Sequence, residues 1–314
     1  MKQGQLPLFV VPLSEAELTP QTEFAHTWAL FQKRLAKEGK TEHTVNAFTS
    51  DLHLLAEYVG NHIALNGFKT SILEDFLEWL EHGRGVPCSR KSYARRVTTL
   101  KVYFKWLADL EVLDHDPAKA ILQRSGPAPL ATILNTDQVS AAMLASHRFK
   151  RRDELDTRPE LLFNLLLNTG IKKSEIMRLT LADFERGNHP MLLIRQVSAK
   201  HEYKERRLAL DTELMAVLDD YLVQYTPEKI VFTCTARNLE YILEAIGVEA
   251  GIEHKLSFEM MRWTCAVRDY VAGIPPETIR EKLGLSPISW METFLKIRKL
   301  AGENVEIGVG KSGE

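Results

Sequence analysis

The sequence has few cysteines, no long apolar run and no excess of either charge. The three cysteines among 314 residues, Cys88, Cys234 and Cys265, share no CxxC or other metal-ligand spacing. This usage favours a reducing cytoplasm without structural disulfides. Every apolar run is far shorter than the roughly 18 residues that a membrane span needs, so we expect neither a signal peptide nor a membrane anchor.

The charge balance excludes a strongly basic chain. There are 40 Lys and Arg against 42 Asp and Glu, which gives a net charge of −2. Residues 1–125 carry 15 charges of each sign, and residues 126–314 carry 25 basic against 27 acidic residues. Any nucleic-acid surface must therefore be a local patch. The ten histidines show no HExxH pattern or cluster, so the sequence predicts no metal site and no cofactor.

Apolar residues at helical spacing predict four amphipathic helices in the first part of the chain. The first two end near Gly39 and Gly60. The third is predicted to open with Ser71 and Glu74 in capping-box spacing, and the fourth follows Ser89. Together they predict a small all-helical domain.

The remainder of the chain predicts a second domain that is mainly helical with a small sheet. Its strands are expected at 191–198 and 207–210, joined by a charged turn. A stretch with Ser, Gly and two prolines is the best candidate for a linker. The predicted organisation is a leader at 1–20, a helical domain at 21–122, a linker at 123–138, a second domain at 139–300 and a tail at 301–314.

The fourth helix has the sharpest local charge pattern. Between Arg90 and Lys105 there are six basic residues and no acidic one. At about 100° per residue, Lys91, Arg95, Lys101 and Lys105 form one stripe opposite the apolar face. A solvated helix face is the alternative, but the neighbouring helices carry mixed charge. We therefore predict that this stripe contacts phosphates.

A second basic cluster lies just before the longest apolar helix. Arg148, Lys150, Arg151 and Arg152 are followed at once by Asp153 and Glu154. Because acidic residues interrupt this cluster, the sequence predicts ordinary solvent-exposed surface here.

The strongest pattern is long-range. It comprises the box Thr169-Gly170-Ile171-Lys172-Lys173-Ser174-Glu175, a hairpin lysine at Lys200, the helix opening that holds Glu259 and Arg262, and the turn Leu283-Gly284-Leu285. This layout resembles the tyrosine recombinase (phage integrase) family, whose catalytic domain carries a TGLRxSE box, a hairpin lysine, an HxxR helix, an LGH turn and then a tyrosine. The resemblance covers roughly residues 22–300.

The resemblance implies both a fold and an activity. It implies a mainly α protein with a small β-sheet, in which an N-terminal helical core-binding (SAM-like) domain precedes a C-terminal catalytic-type domain. In the family, two arginines hold the scissile phosphate, the histidines and lysine assist proton transfer, and the tyrosine forms a 3′-phosphotyrosyl link. The implied partners are double-stranded DNA and a second copy of the chain or a related active recombinase, with no membrane.

The chain departs from the family pattern at four of six catalytic positions. Lys172 replaces an arginine, Glu259 and Leu285 replace the two histidines, and Phe294 replaces the tyrosine, while Arg262 and Lys200 match. Phenylalanine has no nucleophilic oxygen, lysine lacks the forked donors of arginine, and a glutamate opposes developing negative charge. The predicted DNA contacts are therefore those of the basic stripe region, Arg90, Lys91, Arg95, Lys101 and Lys105, and those that the resemblance implies, Lys172, Lys200, Arg207 and Arg262.

These departures favour a DNA-binding protein without cleavage activity, acting as an accessory, regulator or competitor in recombination. An engineered change at Phe294 would explain one position and leave the other three unexplained. A protein-interaction module is a second hypothesis, because residues 201–250 carry five basic against ten acidic residues. The third is an active enzyme with a relocated nucleophile, although the last tyrosine of the chain, Tyr270, lies on the helix of Arg262.

Overall fold

The structure, a computed structural model, describes residues 14–123, 130–196 and 204–302. The chain divides into two compact units, Met1–Ala128 and Pro129–Glu314, so the division falls within the predicted linker. Lys200 and the tail beyond residue 302 lie outside the described residues.

Within residues 14–123 the first unit is helical. An aromatic core that includes the buried residues Phe24, Phe31, Tyr103 and Trp106 holds its helices together. These helices are α1 (Trp28–Lys37), α2 (Glu42–Val59), α3 (Thr70–Glu78) and α4 (Arg90–Asp109), with short 3₁₀ turns at Glu15–Glu17, Phe24–Thr27 and Leu65–Gly67.

The start of α4 confirms the prediction, whereas the predicted start of α3 is wrong. Ser89 caps α4, with its Oγ accepting from the backbone N–H of Ser92 at 3.1 Å. Helix α3 begins at Thr70 rather than after a capping box at Ser71, and its N-cap residue makes no side-chain bond. The Thr70 hydroxyl donates to the carbonyl of Pro117 at 2.8 Å, so a contact distant in sequence accompanies this helix start.

The second unit combines helices with two small antiparallel sheets. Strands β3, β4 and β5 form one sheet in that order, with Met191 opposite Ala209 and Ile194 opposite Arg206. Strands β1 and β2 form a separate hairpin that the sequence analysis did not predict. The strands are β1 (Lys150–Arg151), β2 (Glu154–Leu155), β3 (Phe184–Glu185), β4 (Met191–Ile194) and β5 (Arg206–Ala209).

The sequence predicts helices in the second unit at 161–167, 213–225, 237–249, 259–272, 276–283 and 286–300, and the structure has a helix at each place, with ends that shift by a few residues. The helix Thr136–His147 and the short helix Lys173–Ile176 were not predicted. The buried apolar segment 161–167 lies inside a longer helix, and β4 ends before the predicted residue 198. The helices are α5 (Thr136–His147), α6 (Thr157–Thr169), α7 (Lys173–Ile176), α8 (Thr212–Tyr225), α9 (Ala236–Glu249), α10 (Phe258–Val271), α11 (Pro276–Lys282) and α12 (Pro287–Leu300).

Helix α6 is the central element of the second unit. It packs against α5, α8, α9 and α10, and its leucines are almost fully buried. It ends at Gly170, which has a φ of +59°. A Cβ at Gly170 would lie 3.1 Å from Leu283 Cδ2, so the turn after α6 packs closely on the turn after α11. This close approach brings together the sequence box of α7 and the turn at Leu283.

No helix in the three described segments is long and apolar enough to cross a membrane. The same residues contain no group of three or more His, Cys, Asp or Glu side chains that could hold a metal ion. Cys88, Cys234 and Cys265 are free thiols.

Candidate functional site

A buried ion pair fixes the box after α6 to the three-stranded sheet. Arg206 of β5 donates from Nη1 and Nη2 to the two carboxylate oxygens of Glu175, at 3.1 and 2.9 Å. Their side chains are only 7% and 3% exposed. Glu175 also accepts from the backbone N–H of Lys172 at 2.8 Å. Burial opposes ionisation of Glu175, but the hydrogen bonds and charge of Arg206 outweigh it and lower the pKa of the carboxyl group.

Arg262 connects the carboxyl ends of two helices. Its Nη1 donates to the carbonyl of Gly170, after α6, and its Nη2 donates to the carbonyl of Leu283, after α11, at 2.6 Å. Both ends carry the negative pole of a helix dipole, which stabilises the guanidinium. Burial lowers the pKa of Arg262 to about 10, so it is charged at neutral pH. Among the described residues, these two carbonyls take two of its five N–H groups, which leaves donors for a phosphate.

The turn after α11 requires glycine at Gly284. Its φ is +59°, and a Cβ there would lie 2.8 Å from Nη1 of Arg206. The Nε of Arg206 donates to the carbonyl of Lys282 at 2.7 Å. Arg206 therefore binds both Glu175 and the turn. These bonds hold the turn, which carries Leu285, against β5.

Lys172 lies in this same cationic cluster. It is half-buried, and its pKa is lowered first by burial and then by the positive charge of Arg262, with Glu175 opposing the shift. Lysine presents a point charge on a flexible stem rather than a planar fork. The structure thus brings Lys172 and Arg262 close enough for their charges to interact, but without the geometry that two arginines would supply.

Glu259 lies on the exposed side of the first turn of α10. The N-cap residue Ser257 accepts at Oγ from the backbone N–H of Met260 at 3.2 Å. Glu259 makes no side-chain hydrogen bond or ion pair with any residue that the structure describes. Because Glu259 and Arg262 are three residues apart on a helix, they lie on neighbouring positions of one face.

Phe294 packs into an aromatic cluster on α12. Its ring stacks on Trp290 with a centroid distance of 5.2 Å and meets Tyr270 edge-on at 5.7 Å. The half-buried Leu285 packs against the same cluster. Both positions are therefore part of apolar packing. A groove of about 640 Å³ runs beside Leu285 between β5 and α11.

Of the other two predicted contacts of the second unit, one lies outside the described residues and the other does not join this cluster. Lys200 lies outside the described residues. Arg207 is 62% exposed and pairs with Glu185 across the sheet, with Nη2 donating at 2.6 Å. Sequence reasoning missed its neighbour Arg206. The signal that could have found it is Glu175, because a carboxylate that follows a buried helix requires a cationic partner.

Only some of the cations in the basic stripe of α4 are without an ion pair among the described residues. Arg90 and Lys91 are exposed and Lys101 is half-buried, and none of the three pairs with a residue in the described part of the chain. Lys105 donates to Asp109 one turn later, at 3.1 Å. The amino-terminal end of the stripe therefore offers the unpaired cations.

Arg95 and Arg96 bind a buried carboxylate instead. Asp51 of α2 is 3% exposed and accepts from Arg95 Nη2 at 2.6 Å and Arg95 Nε at 3.0 Å. It also accepts from the hydroxyl of Thr99 at 2.9 Å, while Arg96 Nε lies 3.6 Å away. Arg96 is buried. These contacts hold α2 against α4, and Arg95 keeps enough exposure to remain a predicted phosphate contact.

Comparisons with known proteins match both units. The model of the phage integrase family matches residues 132–299, and that of the phage integrase N-terminal SAM-like domain matches residues 29–110. Tyrosine recombinase XerD of Listeria innocua is 24% identical over 285 residues, which are 86% of this chain and 93% of that protein. Tyrosine recombinase XerC of Mycobacterium bovis is 29% identical over 161 residues, 50% of this chain and 53% of that protein.

Solved structures share the fold. The XerH site-specific recombinase bound to palindromic difH substrate aligns with a TM-score of 0.69 and 18% identity, covering 88% of this chain and 81% of that one. A lambda integrase dimer bound to a COC′ core site aligns with a TM-score of 0.68 and 16% identity, covering 90% of this chain and 80% of that one. The architecture is therefore the predicted one, and the chain belongs to the phage integrase family.

Proposed function

We propose that this protein binds double-stranded DNA without cleaving it and acts as an accessory, regulator or competitor in site-specific recombination. The observation that carries the proposal is Phe294, which has no oxygen and packs between Trp290 and Tyr270 at the position where the family has its nucleophile. Its partners would be DNA and a second copy of the chain or a related active recombinase, in the cytoplasm.

The cations of both units support DNA binding. Arg90 and Lys91 are exposed and unpaired among the described residues, and Lys172 and Arg262 form a positive cluster in the second unit. Arg262 retains three N–H donors after its two backbone contacts. The XerH and lambda integrase structures are complexes with DNA, which supports the same ligand class for this chain.

Three further positions support the loss of cleavage. Glu259 presents a carboxylate beside Arg262, where stabilisation of negative charge is needed. Leu285 donates no proton from its side chain and packs against the apolar cluster. Lys172 lacks the forked donors that grip a phosphate. An enzyme with only the tyrosine removed would retain these groups, so an engineered change at Phe294 is the weaker explanation.

A protein-interaction module is the second candidate function. It is favoured by the acidic balance of residues 201–250 and by the surface ion pair that occupies Arg207. An active enzyme with a relocated nucleophile ranks third. Tyr270 lies two helical turns after Arg262, at about 12 Å along the axis of α10.

Salt-dependent binding to random-sequence duplex DNA tests the proposal. We expect measurable binding that weakens steeply with salt, and Arg90→Ala with Lys91→Ala should flatten the slope of log K against log salt by about 1.8, at 0.9 per lost contact. Lys119→Ala, which removes an exposed lysine outside the stripe, is the control and should have little effect. Absence of binding at low salt would overturn the proposal and favour the interaction module.

A further inference from the structure

The β1–β2 hairpin presents a second cationic surface. Arg148, Lys150, Arg151 and Arg152 are all exposed, and they lie on the hairpin or immediately before it. The sequence analysis assigned them to ordinary surface because Asp153 and Glu154 follow. The segment nevertheless keeps a net positive charge.

These four cations differ from most others in the second unit. Within the described residues, none of the four forms an ion pair. By contrast, the exposed Arg186, Arg237 and Lys255 each pair with a neighbouring carboxylate, Asp219, Glu240 and Glu244 respectively. Unpaired cations in one cluster raise the local potential, whereas paired ones largely cancel it.

The hairpin is held in a fixed and costly conformation. Its turn residues Arg152 and Asp153 have φ values of +53° and +67°, a region that suits glycine and asparagine better. Strand pairing sets Lys150 opposite Leu155. The base of the hairpin is tied to α8, where Gln224 Nε2 donates to the carbonyl of Leu155 at 2.6 Å. The turn therefore has a defined backbone conformation, on a base that is hydrogen-bonded to α8.

A second tie fixes the junction between the hairpin and α6. Asp156 is buried and accepts from the hydroxyl of Tyr225 at 2.6 Å, while its backbone N–H donates to the carbonyl of Phe149 at 2.9 Å. The guanidinium of Arg158 stacks over the ring of Tyr225, 4.2 Å from its centroid. The hairpin therefore projects from the amino end of α6.

The hairpin lies away from the cluster of Lys172 and Arg262. Helix α6 has 13 residues and joins the two places, with the hairpin at its amino end and Gly170 at its carboxyl end. At 1.5 Å per residue the ends are about 20 Å apart, which corresponds to about six base pairs of duplex. A contact at the hairpin is therefore separate from a contact at Arg262.

We propose that the β1–β2 hairpin, with Arg148, is a second phosphate-binding surface that contacts duplex DNA outside the stretch held at Lys172 and Arg262. This rests on the proposed function. Exposed side chains of the hairpin are basic or acidic except Leu155, so the surface suits the repeated phosphates of a DNA backbone. A protein partner is the alternative that the test separates, because Arg148 and Lys150 border a pocket that includes the exposed Tyr241 and Val248.

The test compares a short duplex of five base pairs, closed by a hexaethylene glycol loop so that it stays paired and is shorter than the separation of the two places, with a long duplex of five turns. Lys150→Ala, Arg151→Ala and Arg152→Ala are combined in one variant. We expect its log K against log salt slope on the long duplex to flatten by about 2.7, at 0.9 per contact, and its binding to the short duplex to stay unchanged. An unchanged melting temperature confirms that the exposed substitutions leave the fold intact.

The matched control combines Arg186→Ala, Arg237→Ala and Lys255→Ala. It makes the same change in net charge at cations that are already paired, and it should show no dependence on duplex length. Equal losses on both duplexes for the hairpin variant would overturn a separate surface. No loss on either duplex would overturn a DNA contact at the hairpin and is the result expected for a protein partner. Failure of the unmodified protein to bind either duplex would refute the proposed function itself.

Discussion

In the second unit, the residues that frame the candidate site differ in their contacts from those at the positions of the family's catalytic residues. Those that frame the site, including Glu175, Arg206 and Arg262, are engaged in buried hydrogen bonds and ion pairs. At the positions that align with the family's catalytic residues, Glu259 is exposed without a partner among the described residues, and Phe294 packs against aromatic rings. The frame therefore has a structural role in the fold that does not depend on catalysis.

The largest expected effect is on the frame. Arg206→Met leaves the buried Glu175 without its cation, which should lower the free energy of unfolding by about 3–5 kcal/mol. Arg207→Met, one residue along the same strand, breaks only the surface pair with Glu185 and should cost about 0–1 kcal/mol. Urea denaturation measures both, and equal effects of the two substitutions would contradict the structural role of Arg206.

The same ion pair predicts a dependence of stability on pH. The pKa of Glu175 is lowered in the folded protein, so its contribution is fully present above the pKa of the unfolded chain, about 4.3. It is lost as the pH falls below that value towards the folded pKa. Glu175→Gln should be less stable at neutral pH and should lose less stability on acidification. A loss on acidification as large as that of the unmodified protein would locate the titrating group elsewhere.

Two glycine substitutions separate the cost of a positive φ from the cost of a steric clash with Arg206. Gly284→Ala pays for a positive φ and also displaces Arg206, so we expect a loss of about 2–3 kcal/mol. Gly273 has a φ of +82° with nothing near its missing Cβ, so Gly273→Ala should cost only about 1–2 kcal/mol. Thermal or urea unfolding compares them, and a Gly284 variant no less stable than the Gly273 variant would show that Arg206 moves freely.

At the positions of the family's catalytic residues, the expected effects are small and concern affinity for DNA rather than stability. Glu259→Gln removes an exposed carboxylate one helical turn before Arg262 and should tighten DNA binding about 1.4-fold to fivefold, as expected for an exposed charge worth about 0.2–1 kcal/mol. Glu253→Gln, on an exposed residue before α10, is the control for net charge. Equal tightening by both variants would show that Glu259 acts only through the overall charge.

Much of the fold could be predicted from sequence because local signals agree with it. Ser89 caps α4 as predicted, and the buried leucines of α6 appear as an apolar run that only Asn164 interrupts. The start of α3 could not be predicted in this way, because Thr70 bonds to Pro117, a residue distant in sequence. The β1–β2 hairpin was missed because its turn holds Arg152 and Asp153 where glycine or asparagine would signal a turn.

The sequence predicted which residues belong to the candidate site but not which residues they contact. The sequence order identified Lys172, Arg262 and Phe294, since their spacings follow the family pattern. It could not show that Arg95 of the basic stripe binds the buried Asp51, because 44 residues separate the two along the chain. Arg206 was missed for the same reason, since its bond to Glu175 spans 31 residues.

The most direct test of the central claim is a search for a covalent protein–DNA adduct on a denaturing gel, with a nicked, end-labelled duplex that the protein binds. The unmodified protein should give no adduct. Phe294→Tyr should fold normally and still give none, because residues that act as one catalytic unit fail together. Adding Lys172→Arg, Glu259→His and Leu285→His to it is the combination expected to restore a covalent band. A band from the unmodified protein would contradict the account, and a band from Phe294→Tyr alone would show that the other three substitutions do not abolish cleavage.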